Sequence, residues 1–280
     1  MLNSNGKIVV LQEAIKHVHA EGLIHDAVLV FKDNKIVIDA LGVEDKQGVV
    51  DGGLTAYVEY PFEISTPEEV AIGNLSDLLD KLELFDRNDE VRVYTTEKNE
   101  LVVDRENPKQ VLRYDLADKK YIKSYPQGDR VSSWRPVTLK KTNGKEKPFV
   151  FTANISIEAN ILREYGKIVS KIKVSDDSGK VYVPIQIKDG KLTTVLKGDT
   201  TSLLREVPAI TEKVLVDNIE TVKTLSSGTA TSKYGKELLD IIKLAYGTAR
   251  LEMSDMSPIH IHYEHEGMTS DYLLQRYEEQ

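Results

Sequence analysis

The chain has 280 residues, 40% hydrophobic and 29% charged, an ordinary globular composition that is long for one domain. A formal charge of −8 argues against a protein that grips nucleic acid with a basic outer surface, while leaving room for local basic patches. The absence of cysteine excludes disulfides, thiolate metal sites and a cysteine nucleophile, and no stretch approaches the roughly 18 apolar residues of a membrane span.

The opening MLNSNGKIVVLQEAIKHVHAEG lacks the basic-then-apolar pattern of a secretion signal, so a cytoplasmic setting is expected. Within it, Ile8 to Val10 read as a strand and LQEAIKHVHAEG as a helix that Gly22 stops. Short strands follow in AVLVFKDNKIVIDAL, broken by an Asp-Asn turn signal. Leu75, Leu78, Leu79 and Leu82 then recur at helical spacing, and Val91, Val93, Leu101 and Val103 alternate as two strands do.

Residues 118–148 carry three prolines, two glycines and many charges without sustained periodicity, which marks a connecting segment. Its Tyr121, Ile122, Tyr125, Val131 and Trp134 imply that it lies along the protein surface. Beyond it the pattern restarts. FVFTANIS reads as a strand, IEANILREYGKIVSK as a helix, and KIKVSDDSGKVYVPIQIKDGKLTTVL as strands with Ser-Gly and Asp-Gly turns.

Residues 78–103 lie without a gap over residues 238–263, and both segments begin Leu-Leu-Asp. Tyr234, Leu238, Leu239 and Ile242 repeat the helical set, and Leu251, Met253, Ile261 and Tyr263 repeat the alternating one. A matched change of period at a fixed offset implies a duplicated unit. The expected class is α+β: two similar domains, each with two helices packed on antiparallel sheets, spanning 1–117 and 149–280 with 118–148 between them.

Chemical motifs are sparse. No nucleophile elbow, phosphate loop or H-E-x-x-H is present, and the paired carboxylates Asp176-Asp177 and Glu278-Glu279 fall in a turn and a tail. His260, His262 and His265 form H-x-H-x-x-H with Glu264 and Glu266 alongside, which raises a zinc site and a metal-binding enzyme as a rival reading. Ile259, Ile261 and Tyr263 take the apolar face of that strand, turning the histidines to the outer surface, so no metal is expected.

The ending LLDIIKLAYGTARLEMSDMSPIHIHYEHEGMTSDYLLQRYEEQ resembles that of the DNA sliding clamps of the proliferating cell nuclear antigen family. Ser254, Pro258, Tyr263, Gly267, Tyr272 and Leu273 stand at the positions of that pattern. Leu274-Gln275 replaces the family's usual Ala-Pro and the connecting segment is long, as in a divergent archaeal or viral-like member.

The resemblance implies a non-catalytic processivity factor without a cofactor. It would close as a pseudo-sixfold homotrimeric ring around double-stranded DNA and tether polymerase, clamp loader and repair proteins. Its setting would be the cytoplasm and nucleoid, or the nucleus of a eukaryotic or viral host. Lys16, His17, Lys81, Arg163, Lys167, Lys171, Lys236 and Lys243 would face DNA, with His19 beside them and Glu13, Asp77 and Asp80 opposing them in the first domain. Val111, Arg113 and Tyr114 in QVLRYDL would meet Leu203 and Arg205 in the TSLLRE strand of a neighbour. Leu41, Tyr121, Ile122, Tyr125, Pro258, Leu273, Leu274 and Tyr277 would form the pocket for a partner peptide. A heteromeric clamp-like scaffold subunit is the alternative.

Overall fold

The computed structural model describes residues 1–42, 53–123, 138–140, 146–148, 151–172, 174–175, 181–197, 202–216 and 219–276. The chain divides into two compact units: Met1–Val49 with Leu54–Val131 and Glu266–Ser270, and Val50–Gly53 with Ser132–His265 and Asp271–Gln280.

The first unit runs β1 (Asn3–Lys7), α1 (Ile8–His19), β2 (Ala27–Lys32), β3 (Lys35–Leu41), β4 (Leu54–Pro61), β5 (Glu63–Thr66), β6 (Glu68–Ile72), α2 (Leu75–Leu82), β7 (Glu90–Thr95), β8 (Glu100–Arg105) and β9 (Gln110–Asp115). The strands form two antiparallel series, β5-β1-β7-β8-β9 and β6-β2-β3-β4. Asp33 and Asn34 both take positive φ and close the β2–β3 hairpin, as the Asp-Asn signal predicts. Ile8, Leu11, Ile15 and Val18 form the buried stripe of α1, which packs on β3 and β4 and beside α2. Asn74 caps α2 by accepting the Asp77 N–H at 3.0 Å.

Two expectations need correction here. Ile8 to Val10 form the first turn of α1, not a strand; the strand precedes them at Asn3–Lys7. The helix also ends before Gly22, because Ala20 and Glu21 already stand in the left-handed region.

A short pair, β10 (Thr138–Lys140) and β11 (Glu146–Pro148), lies in the connecting segment. The second unit then runs β12 (Ala153–Glu158), α3 (Ala159–Val169), β13 (Tyr182–Lys188), β14 (Lys191–Lys197), β15 (Ser202–Pro208), β16 (Thr211–Val216), β17 (Ile219–Thr224), β18 (Ser226–Ser227), β19 (Ala230–Gly235), α4 (Glu237–Lys243), β20 (Thr248–Met253), β21 (Ile259–His265) and β22 (Met268–Leu274). Its series are β18-β12-β20-β21-β22 and β19-β13-β14-β15, with β16 and β17 forming a separate ribbon. Apart from that ribbon, the connectivity of the first unit recurs strand for strand, as the sequence repeat predicts. Val91, Val93, Leu101 and Val103 are all buried, and so are Leu251, Met253, Ile261 and Tyr263. Tyr234 is corrected from helix to strand: it lies in β19, where its hydroxyl donates to the Ser257 carbonyl at 3.0 Å. No helix among the described residues is long and apolar enough to cross a membrane.

Candidate functional site

β9 ends the series β5-β1-β7-β8-β9 of the first unit, and β15 ends the series β19-β13-β14-β15 of the second. An end strand exposes a row of unpaired backbone groups and is a template for another chain. Val111 is 42% exposed on β9, and Arg113 is exposed on the same face. Tyr114 points the other way: it is buried, and its hydroxyl donates to the Asn74 carbonyl at 2.9 Å.

On β15 the register sorts the side chains. Leu203 and Arg205 stand opposite the buried Leu196 and Thr194 of β14 and are themselves half-buried. Leu204, 63% exposed, stands opposite Val195, 49% exposed. The outward apolar residues here are therefore Leu204 on β15 and Val195 on β14, neither of which the sequence reading named. Strict alternation in TSLLRE would have offered Leu204 equally with Leu203, and only the register with β14 decides between them. Arg205 Nε is buried without a hydrogen-bond partner among the described residues.

The helix faces differ between the units. On α3, Arg163, Lys167 and the following Lys171 recur at spacing four, with Lys167 and Lys171 exposed. Arg163 donates to the Ala245 carbonyl at 2.7 Å, which fixes its guanidinium beyond the end of α4 without neutralising it. Lys236 is exposed at the start of α4, and Lys243 pairs with Asp240 at 2.6 Å.

On α1 only Lys16 is exposed; His17 is 4% exposed and its Nδ1 meets the Tyr60 hydroxyl, so it leaves the outward set. Burial, and then the neighbouring His25, push the His19 pKa below its usual value. Lys81 pairs with Asp77 at 2.7 Å and lies over the Tyr114 ring, and Glu13 pairs with Arg87 at 2.6 Å.

Of the expected peptide-pocket residues, Leu41 and Pro258 are half-buried and Tyr121 is exposed. Ile122 is a core residue packed with Val28 and Ala71, and Leu273 and Leu274 are buried, so these three offer no open surface of their own. Tyr125 and Tyr277 lie outside the described residues.

The histidines of β21 join a carboxylate network on the outer face. His260 donates through Nδ1 to Glu252 and through Nε2 to Asp271, both at 2.8 Å, and His262 Nδ1 reaches the same Asp271 oxygen at 2.8 Å. Only an imidazolium donates from both nitrogens, so this geometry requires a charged His260. Burial opposes that charge, but Asp271 and Glu252 outweigh it and hold the pKa at about 9. Asp271 is likewise opposed by burial, yet its hydrogen bonds from His260 and His262 lower it to about 2. His265 is exposed at the strand end, and no group of three or more such side chains among the described residues is placed to hold a metal ion.

No family model and no curated protein matches the sequence. Solved structures do match. The proliferating cellular nuclear antigen of Entamoeba histolytica is similar with a TM-score of 0.68 at 12% identity, covering 98% of this chain and 98% of that one. The A. fulgidus antigen bound to the C-terminal region of FEN-1 gives 0.70 at 15% identity over 100% of both chains. A PCNA2-PCNA3 complex from Sulfolobus tokodaii gives 0.64 at 15% identity over 98% of both.

The chain has the DNA-clamp fold. The clamp fold extends over its whole length, so the α+β class and the twofold internal repeat read from the sequence describe the structure. The edge strands β9 and β15 and the helix pairs α1/α2 and α3/α4 are thus features of a clamp fold whose side chains have diverged widely from those of its structural relatives.

Proposed function

We propose that this chain is a DNA sliding clamp: a non-catalytic scaffold whose three copies close head to tail around duplex DNA and tether polymerase, loader and repair proteins. The observation that carries the proposal is one chain with the clamp fold in which β9 and β15 are unlike strand edges at the ends of their series. A head-to-tail contact satisfies both at once and closes when the rotation is right. Val111 on one edge and Leu204 with Val195 on the other supply apolar surface.

In this reading residues 1–117 and 149–280 are the two clamp domains, with 118–148 running between them. Tyr121, Leu41 and Pro258 border the partner-peptide site. Arg163, Lys167, Lys171, Lys236, Lys243 and Lys16 face the DNA, and the clamp works in the cytoplasm at the nucleoid, or in a nucleus.

Topological retention tests this. The chain, loaded onto nicked circular DNA, is expected to stay bound through a high-salt wash and to be released when the circle is cut to a linear form. Equal loss from circular and linear DNA contradicts encirclement.

A further inference from the structure

The two helix pairs carry unlike electrostatics. Around α3 and α4, Lys167, Lys171 and Lys236 are exposed and make no ion pair among the described residues, and Arg163 is held by a neutral carbonyl. Only Lys243 there is matched to an acid in its own helix. Glu158, Glu164 and Glu237 offset part of this charge, and the balance stays positive.

Around α1 and α2 the balance reverses. Lys81 is taken up by Asp77, and Glu13 is matched by Arg87 from outside the helices. The exposed Lys7 and Lys16 are then outnumbered by the exposed Glu21, Asp80 and Glu83 at the ends of the two helices. His19, with its lowered pKa, adds little positive charge near neutrality.

We propose that the attraction for duplex phosphates comes from the α3/α4 face of the second unit, and that the α1/α2 face of the first unit repels them. This rests on the clamp reading, and it makes the lining of the ring threefold in charge although sixfold in fold. Three copies present three attractive faces and three repulsive ones. Screened attraction of this kind acts within about 10 Å at 0.1 M salt, so an acidic face is felt by DNA passing close to it. The device limits total grip: a lining basic on every face would hold the backbone at more phosphates and raise the drag on sliding.

The test is anisotropy of a fluorescent linear duplex against the assembled protein over a salt series, with the mass of each variant checked by light scattering. The variant Lys167→Ala/Lys171→Ala is expected to weaken binding and to flatten the plot of log affinity against log salt by about 0.9 for each phosphate that is no longer neutralised. Asp80→Asn/Glu83→Gln is expected to tighten binding several-fold at low salt, and Lys16→Ala is expected to cost less than half of what Lys171→Ala costs.

The inference is overturned if the assembled wild type binds duplex but the acid-neutralising variant binds no better. It also fails if Lys16→Ala costs as much as Lys171→Ala. An assembled wild type with no affinity for duplex at any salt overturns the clamp reading and this inference together, whereas the two preceding outcomes overturn this inference alone.

Discussion

Gly166 sits where α3 packs tightly on α4: a Cβ there would stand 2.7 Å from Ile242 Cγ2. Overpacking of this kind costs about 1–3 kcal/mol, and the better helix propensity of alanine returns about 1 kcal/mol. Gly166→Ala is therefore expected to lower stability by roughly 1 kcal/mol in urea unfolding, and adding Ile242→Leu, which removes the branched methyl, is expected to recover most of it.

The His260 network gives a pH dependence of known sign. A folded pKa near 9, above the ordinary value of 6.5, contributes stability that is complete below pH 6.5 and lost as pH rises through 9. Asp271, lowered from 3.8 to about 2, contributes stability present above pH 3.8 and lost as pH falls through 2. Asp271→Ala is expected to cost on the order of 2 kcal/mol near pH 6, and the gap to wild type is expected to shrink by pH 10. Thermal melts across that range check it, and a constant gap would contradict the charged pair.

The sequence pattern placed these histidines on the outer face of β21, because Ile259, Ile261 and Tyr263 claim the inner one. It could not supply Asp271 and Glu252, which reach them only across strands. His17 failed for the same reason: its partner Tyr60 is 43 residues away, and nothing local in α1 announces a buried imidazole.

At the level of elements, the edges β9 and β15 fell where the resemblance to the clamps implied strands in QVLRYDL and TSLLRE. Which face of each strand looks outward depends on register with β8 and β14, and so Tyr114, Leu203 and Arg205 turned out to face the covered side. Leu204→Asp places a charge on an outward apolar position of β15. It is expected to prevent assembly, read as a fall in solution mass, while leaving the unfolding midpoint of the dissociated chain within about 0.5 kcal/mol of wild type, as for exposed positions generally. Leu203→Asp, on the half-buried side, is expected to lower both. Tyr234 was misplaced because its spacing to Leu238 suits a helix, although the helix begins only at Glu237 after β19 ends.

For the whole molecule, the repeat was legible because helix and strand periods switch in the same order 160 residues apart. The β16–β17 ribbon has no counterpart among the described residues of the first unit, and a repeat-based reading has no template for it. The same duplication makes the two units alike in fold and leaves their surfaces to diverge. One chain thereby carries two different edges and two differently charged helix pairs.

The central claim is that these edges meet between copies. Light scattering of the full chain across a dilution series in moderate salt, with chelator present, tests it most directly. The account predicts a mass near three times 31.5 kDa that falls only on strong dilution. A mass of 31.5 kDa at every concentration would contradict the self-closing ring.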